Sequence, residues 1–185
     1  MAIYKKLLAT TLLCACSGLA LAAPFSYDYV QGGVGDTDSN DTVFAGLSTS
    51  LSPDVYALGN FYSVDLDHGT LSYLEGGLGV HKPLDNRTSL FANGQLLYAT
   101  ATHHYHDDRN DLGAIGRVGL RVNAAPQVEL EGDLALSSNN MLVNDGLGAD
   151  VAARYYFTPA FSGAVGYSSN TELDGAFVNV RYSLR

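Results

Sequence analysis

The sequence predicts an all-β chain: a single antiparallel, transmembrane, up-and-down β-barrel of about ten strands, with eight as the alternative count. Three observations carry this. Apolar and polar residues alternate with period two along most of the chain, whereas helical periodicity is scarce. The connections between the alternating runs are of two kinds, which take turns. The polar face carries arginines and carboxylates, while lysine is almost absent after the first few residues.

The N-terminal segment reads MAIYKKLLATTLLCACSGLALA. Lys5 and Lys6 precede an apolar run from Leu7 to Leu21, and Ala20-Leu21-Ala22 matches a small-x-small cleavage pattern. The expectation is a secretory signal peptide over 1–22, cleaved between Ala22 and Ala23, and a barrel domain over 23–185. Leu13-Cys14-Ala15-Cys16 offers a rival lipoprotein signal with Cys16 as the lipidated residue, a pattern that Cys14 fits poorly. Both cysteines fall in this segment, so the remainder has no disulfide. Without Lys5 and Lys6, the basic residues fall from 10 to 8 against 19 acids, a net charge of -11, and Lys82 is the one lysine left. Such acidity argues against nucleic acid as a partner.

Ten alternating runs follow, near 25–35, 42–52, 55–66, 70–82, 88–102, 112–123, 127–138, 147–157, 161–168 and 176–184. In the eighth, Leu147, Ala149, Val151, Ala153, Tyr155 and Phe157 oppose Gly148, Asp150, Ala152, Arg154 and Tyr156. In the tenth, Ala176, Val178, Val180, Tyr182 and Leu184 oppose Phe177, Asn179, Arg181 and Ser183. The third and fifth are least clean, because Asn60 and Leu97 blur the faces. Four connections are short and contain proline, at Pro53, Pro83, Pro126 and Pro159, where a missing N–H is harmless. The other five (GDTDSND, DLDHG, HHYHDDRND, NNMLVND and NTELDG) are longer and acidic. Consecutive hairpins place all the short turns at one end and all the long loops at the other.

Alternation alone does not separate a membrane barrel from a soluble one, which has its apolar face inside. Charge decides. A solvated outer face would carry lysines; here the polar face carries Arg117, Arg121, Arg154 and Arg181 with Asp28, Glu75, Glu129, Glu131, Asp133 and Asp150. This is the composition of a confined, charge-paired lumen. Aromatics cluster near strand ends: Phe25, Tyr27, Tyr56, Tyr155, Tyr156, Phe157, Phe161 and Tyr182 towards the turns, and Phe44, Tyr62, Tyr98, Tyr105 and Tyr167 towards the loops. They read as interfacial girdles. Strands that span a bilayer must also close on themselves.

The opening FSYDYVQGG, the proline turns and the aromatic-alternating end resemble the small outer-membrane β-barrel proteins of Gram-negative bacteria. The opening strand and SLSPDVYALGNFYS are most similar to a subfamily from plant-associated proteobacteria. That subfamily was once proposed to act as a secreted quorum-sensing and plant-immunity signal, and its members are better regarded as outer-membrane barrels. The resemblance implies the outer membrane as location and the barrel assembly machinery as a partner; a cleaved signal would leave Ala23 in the periplasm, and so both termini and the short turns are expected there. The sequence departs from the pattern at its end, Tyr182-Ser183-Leu184-Arg185, where such barrels usually finish on an aromatic residue.

In this frame THHYHDDRND, Thr102 to Asp111, is an extracellular loop. His103, His104, His106, Asp107 and Asp108 are acceptable ligands for zinc, nickel or copper. Five neighbours on one loop tip do not converge, however, so a hydrated loop is the favoured reading. Asp36, Asp38 and Asn40 invite calcium in the same way but lack an EF-hand's glycine and distal glutamate. No catalytic residue and no cofactor are expected: Ser72 and His81 stand far apart on one strand, and nothing marks a partner for His68. The expected function is a closed, charge-paired barrel displaying acidic loops, with a surface-integrity, adhesion or biofilm, or signalling-related role. Its loops would meet outer-membrane lipid and lipopolysaccharide through divalent cations. One alternative is a narrow cation-selective channel, drawn from an acidic excess in the lumen; another is a soluble periplasmic binding barrel.

Overall fold

The computed structural model describes residues 25–37, 40–66, 69–103, 109–138, 146–169 and 174–184. The expected signal peptide, with Ala22 and Ala23, lies outside them. Ten strands form the wall: β1 (Tyr29–Thr37), β2 (Asn40–Ser52), β3 (Val55–Leu66), β4 (Gly69–Pro83), β5 (Thr88–His103), β6 (Arg109–Ala125), β7 (Val128–Ser138), β8 (Gly146–Tyr156), β9 (Phe161–Ser169) and β10 (Gly175–Ser183). Each pairs antiparallel with its chain neighbours, and β1 pairs with β10, so the sheet closes as an up-and-down barrel. The closing seam runs from Tyr29↔Ser183 to Gly35↔Phe177.

Polarity is inverted over most of the wall. Leu96, Leu112, Leu136 and Leu147 point outward and are 74%, 75%, 64% and 63% exposed. On the inward face Arg121, Glu129, Arg154 and Arg181 are buried. At the loop end of β3, β4 and β5 the sense reverses. Val64, Leu71, Tyr73, Leu97, Ala99 and Ala101 form a buried apolar cluster inside. Their neighbours in sequence, Ser63, Ser72, Thr100 and Thr102, take the outer face. The faces that Asn60 and Leu97 blur are therefore two clean patterns of opposite sense, joined within one strand.

The first strand begins at Tyr29, later than the alternation predicts. Residues 25–28 instead fold across the turn end of the lumen. Ser48 Oγ donates to the Tyr27 carbonyl at 2.7 Å, Arg121 Nη1 to the Ser26 carbonyl at 3.0 Å, and the Leu184 N–H to the Asp28 carbonyl at 2.9 Å. These bonds satisfy the backbone without a ladder, so alternation alone does not make this segment a strand.

The aromatic girdle expected from position in sequence is corrected by strand parity. Tyr27 and Tyr56 are buried in the lumen, Phe44 and Tyr62 line it, and Tyr156 donates its hydroxyl to Glu129 at 2.8 Å. Tyr98, Phe161, Tyr167 and Tyr182 do face outward. Tyr105 lies outside the described residues.

Four inward aromatic rings lie over inward glycines directly across the ladder: Phe44 over Gly33, Tyr56 over Gly79, Phe91 over Gly119 and Phe177 over Gly166. In each case a Cβ on the glycine would collide with the ring. Glycine opposite an aromatic ring lets the ring lie flat on the strand, which keeps large side chains inside a narrow barrel.

Candidate functional site: the lumen

The lumen has two walls. On β6 to β10 the charged residues cluster. Arg121 sits on Glu129, with Nε and Nη2 donating to Oε1 at 3.0 and 2.9 Å and Nη2 to Oε2 at 3.0 Å. Arg121 Nε also lies 3.8 Å from Glu131. Arg154 lies 3.9 Å from Glu129, and Arg181 lies 4.0 Å from Glu131. Nearer the loops, Arg117 donates to Asp150 at 2.6 Å and lies 3.6 Å from Asp133, and Ser168 donates to Asp150. Strand parity explains the clustering, since all of these positions share the inward face of adjacent strands.

The wall on β3 to β5 is built from amides, which the sequence reading did not single out. Asn60 Nδ2 bridges Glu75 and Gln95 at 3.2 Å each. Gln95 donates to Asn93 at 3.2 Å, and Asn93 donates to the Tyr56 hydroxyl at 3.4 Å. Inward parity was the available signal: Asn60, Asn93 and Gln95 alternate with apolar neighbours as regularly as the arginines do.

An aromatic floor closes the turn end. Tyr27 stacks on His81 with ring centroids 3.9 Å apart and planes 7° apart, and meets Tyr56 at 4.8 Å. The Arg121 guanidinium lies over both Tyr27 and Phe25, at 4.9 and 5.2 Å. Tyr27 and Ser89 share a hydroxyl hydrogen bond of 3.1 Å.

Between the walls lies a cavity of about 160 Å³. The ten charged residues expected to form one network divide around it. Arg117, Arg121, Arg154, Arg181, Glu131, Asp133 and Asp150 line the cavity. Glu129 lies buried against the Arg121 guanidinium. Glu75 is held by Asn60, and Asp28 accepts from the Ser50 N–H and hydroxyl at 2.7 and 2.8 Å. Among the described residues the lining thus has four guanidiniums against three carboxylates. The acidic excess expected of the lumen does not reach the cavity, because Asp28, Glu75 and Glu129 are engaged elsewhere in the wall.

His104, His106, Asp107 and Asp108 lie outside the described residues, and only the backbone of His103, at the end of β5, is described. Asp38 and His68 lie outside them as well.

No protein-family profile matches the sequence, and no curated protein is similar to it in sequence. In fold the chain is similar to the NanC porin, solved in a rhombohedral crystal form. The identity is 9%, the match covers 85% of this chain and 98% of that one, and the TM-score is 0.51. At that identity the likeness is one of fold.

Proposed function

We propose that this chain is an outer-membrane β-barrel whose lumen is closed to bulk flow, and which serves by displaying acidic loops at the cell surface. The observation that carries the reading is the inverted polarity of the wall. Leaving a large aliphatic side chain in water forfeits about 1.5–3 kcal/mol relative to burying it. A ring of outward Leu and Val therefore supports a hydrocarbon surround. The return to normal polarity above Leu74, Tyr98 and Leu112 fits a bilayer boundary at that level. With the short turns periplasmic, both termini are periplasmic too, and the long loops face outward.

Closure rests on two features in series: the aromatic floor of Tyr27, Tyr56, Phe91 and His81, and the arginine–carboxylate ladder above it. The loops and the strand ends beside them carry most of the chain's acidic residues, so contact with anionic lipopolysaccharide requires bridging Mg²⁺ or Ca²⁺. The four-to-three lining gives no basis for cation selectivity, which leaves the narrow cation channel as the weaker reading.

Two measurements test this together. Detergent-extracted protein should migrate faster unheated than boiled, as a closed barrel does; identical mobility would point to a soluble periplasmic barrel. The inserted protein should be silent in a planar bilayer. Reproducible single-channel steps would overturn closure.

A further inference from the structure

We propose that the lumenal cavity is a binding site for a small organic monocarboxylate, whose carboxylate is held by Arg154 and Arg181. This goes beyond the closed-barrel reading, which assigns the lumen no ligand.

The two arginines are buried, at 3% and 5% exposed, yet poorly paired. Both oxygens of Glu129 are taken by Arg121 and by the Tyr156 hydroxyl. Arg154 reaches that carboxylate only at 3.9 Å. Its Nη1 donates to Ser162 Oγ at 3.2 Å, a neutral acceptor, and its Nε has no hydrogen-bond partner. Arg181 spends Nε and Nη2 on one neutral oxygen, Gln31 Oε1, at 3.2 and 3.0 Å. Its Nη1 has no hydrogen-bond partner either. The Tyr29 ring, 3.9 Å from the Arg181 guanidinium carbon, holds the group in place. The two are neighbours: Ser162, which accepts from Arg154, is the ladder partner of Arg181.

A buried guanidinium without a close anion is costly, and a carboxylate supplies two coplanar oxygens that match its donors. Both side chains line the cavity, so an anion from solution could complete the set.

Three features narrow the ligand. Glu129 occupies Arg121 and Asp150 occupies Arg117, which among the described residues leaves Arg154 and Arg181 with no carboxylate nearer than 3.9 Å and suits a single added negative charge; a second would face Glu131, Asp133 or Asp150. A volume of about 160 Å³ has room for roughly ten waters, so the ligand has a comparably small number of heavy atoms. The opposite wall offers Asn60, Asn93 and Gln95 with the Tyr56 ring, which favours a flat or compact body bearing hydroxyl groups.

The test is calorimetric titration of the full protein in detergent with acetate, lactate and 4-hydroxybenzoate, and with the neutral analogue 4-hydroxybenzamide. At least one carboxylate should bind saturably, and where 4-hydroxybenzoate binds, the amide should bind at least about tenfold more weakly. R154Q and R181Q should each weaken carboxylate binding by a similar factor while the barrel still shows its heat-dependent gel shift, and R181K, which keeps the charge but loses the fork, should fall between. Amide and acid binding alike, unchanged affinity in both glutamine variants, or no binding of any of the three carboxylates would each overturn the proposal. Should R154Q fail to fold, R181Q and the acid–amide comparison on the unaltered protein decide. Conductance is read separately: a barrel that conducts and binds the carboxylate refutes closure but keeps the site, and a silent barrel that binds nothing does the reverse.

Discussion

Adding one methyl group at Gly119 should destabilise the barrel, although alanine ordinarily suits a strand better than glycine does. The new Cβ would sit 2.5 Å from Asp133 Cβ, 2.6 Å from the Gly132 carbonyl oxygen and 2.6 Å from Phe91 Cζ. Two of these three neighbours belong to the β7 backbone or its first side-chain carbon, so no single rotamer change relieves the contact. Overpacking of this kind costs about 1–3 kcal/mol. The control is Gly94 on neighbouring β5, which faces outward and whose added Cβ would meet nothing within 4 Å. There Ala should gain about 0.4–1 kcal/mol by restricting the unfolded chain. G119A and G94A are the same chemical change on adjacent strands, and they should shift stability in opposite directions, by a total of about 1.5–4 kcal/mol. Urea unfolding in detergent, followed by circular dichroism and by the gel shift, measures both. A G119A barrel as stable as the unaltered protein would show that the wall yields freely, and would remove the argument that inward glycines seat the aromatic rings.

Glu129→Ala leaves Arg121 buried beside an empty acceptor site, and should cost about 3–5 kcal/mol in the same unfolding assay; a loss below about 1 kcal/mol would mean that water reaches the ladder. At the exposed β4–β5 turn, the Arg87 N–H donates to Asp85 at 2.6 Å and holds its carboxyl below the ordinary carboxylate range. A depressed folded-state pKa adds stability above the unfolded value of about 4, and this contribution fades as pH falls through the folded value. The stability difference between the unaltered protein and D85N should therefore be constant near neutrality and vanish in acid, which unfolding at a series of pH values would reveal. Replacing residues 104–108 with a Gly–Ser linker should leave the gel shift intact and change surface adhesion or aggregation; loss of the folded band would make the loop structural.

Much of the fold was legible because one rule, alternation, runs through every strand. The turn prolines and the closing seam followed from it. What escaped the sequence was local. Phe25 to Asp28 alternate like a strand but are captured by Ser48, Ser50 and Arg121, partners far away along the chain. Leu97 looked like a break in pattern because two environments meet within β5, and a single polarity rule cannot describe both. Position along a strand suggested that Tyr27 and Tyr56 belong to a girdle; only parity against the neighbouring strands puts them inside. The arginines were recognisable as inward, but which carboxylate each would meet depends on ladder register, and that is how Arg154 and Arg181 come to lie no nearer than 3.9 Å to any carboxylate among the described residues.

The strands also differ in length, and the difference is not scattered around the ring. β4, β5 and β6 have 15, 16 and 17 residues, whereas β1, β9 and β10 have 9 each. At about 3.4 Å per residue and a tilt of about 40°, the tallest strand rises about 44 Å along the axis and the shortest about 23 Å. The wall is therefore tall on the β4–β6 side and low along the seam, and the extra length is shared between the loop end and the turn end, where β6 runs on to Ala125. On the tall side the wall carries a dry core of its own, Val64, Leu71, Leu97 and Ala101, beyond the charged part of the lumen, and among the described residues the low side is the seam where the two ends of the chain join.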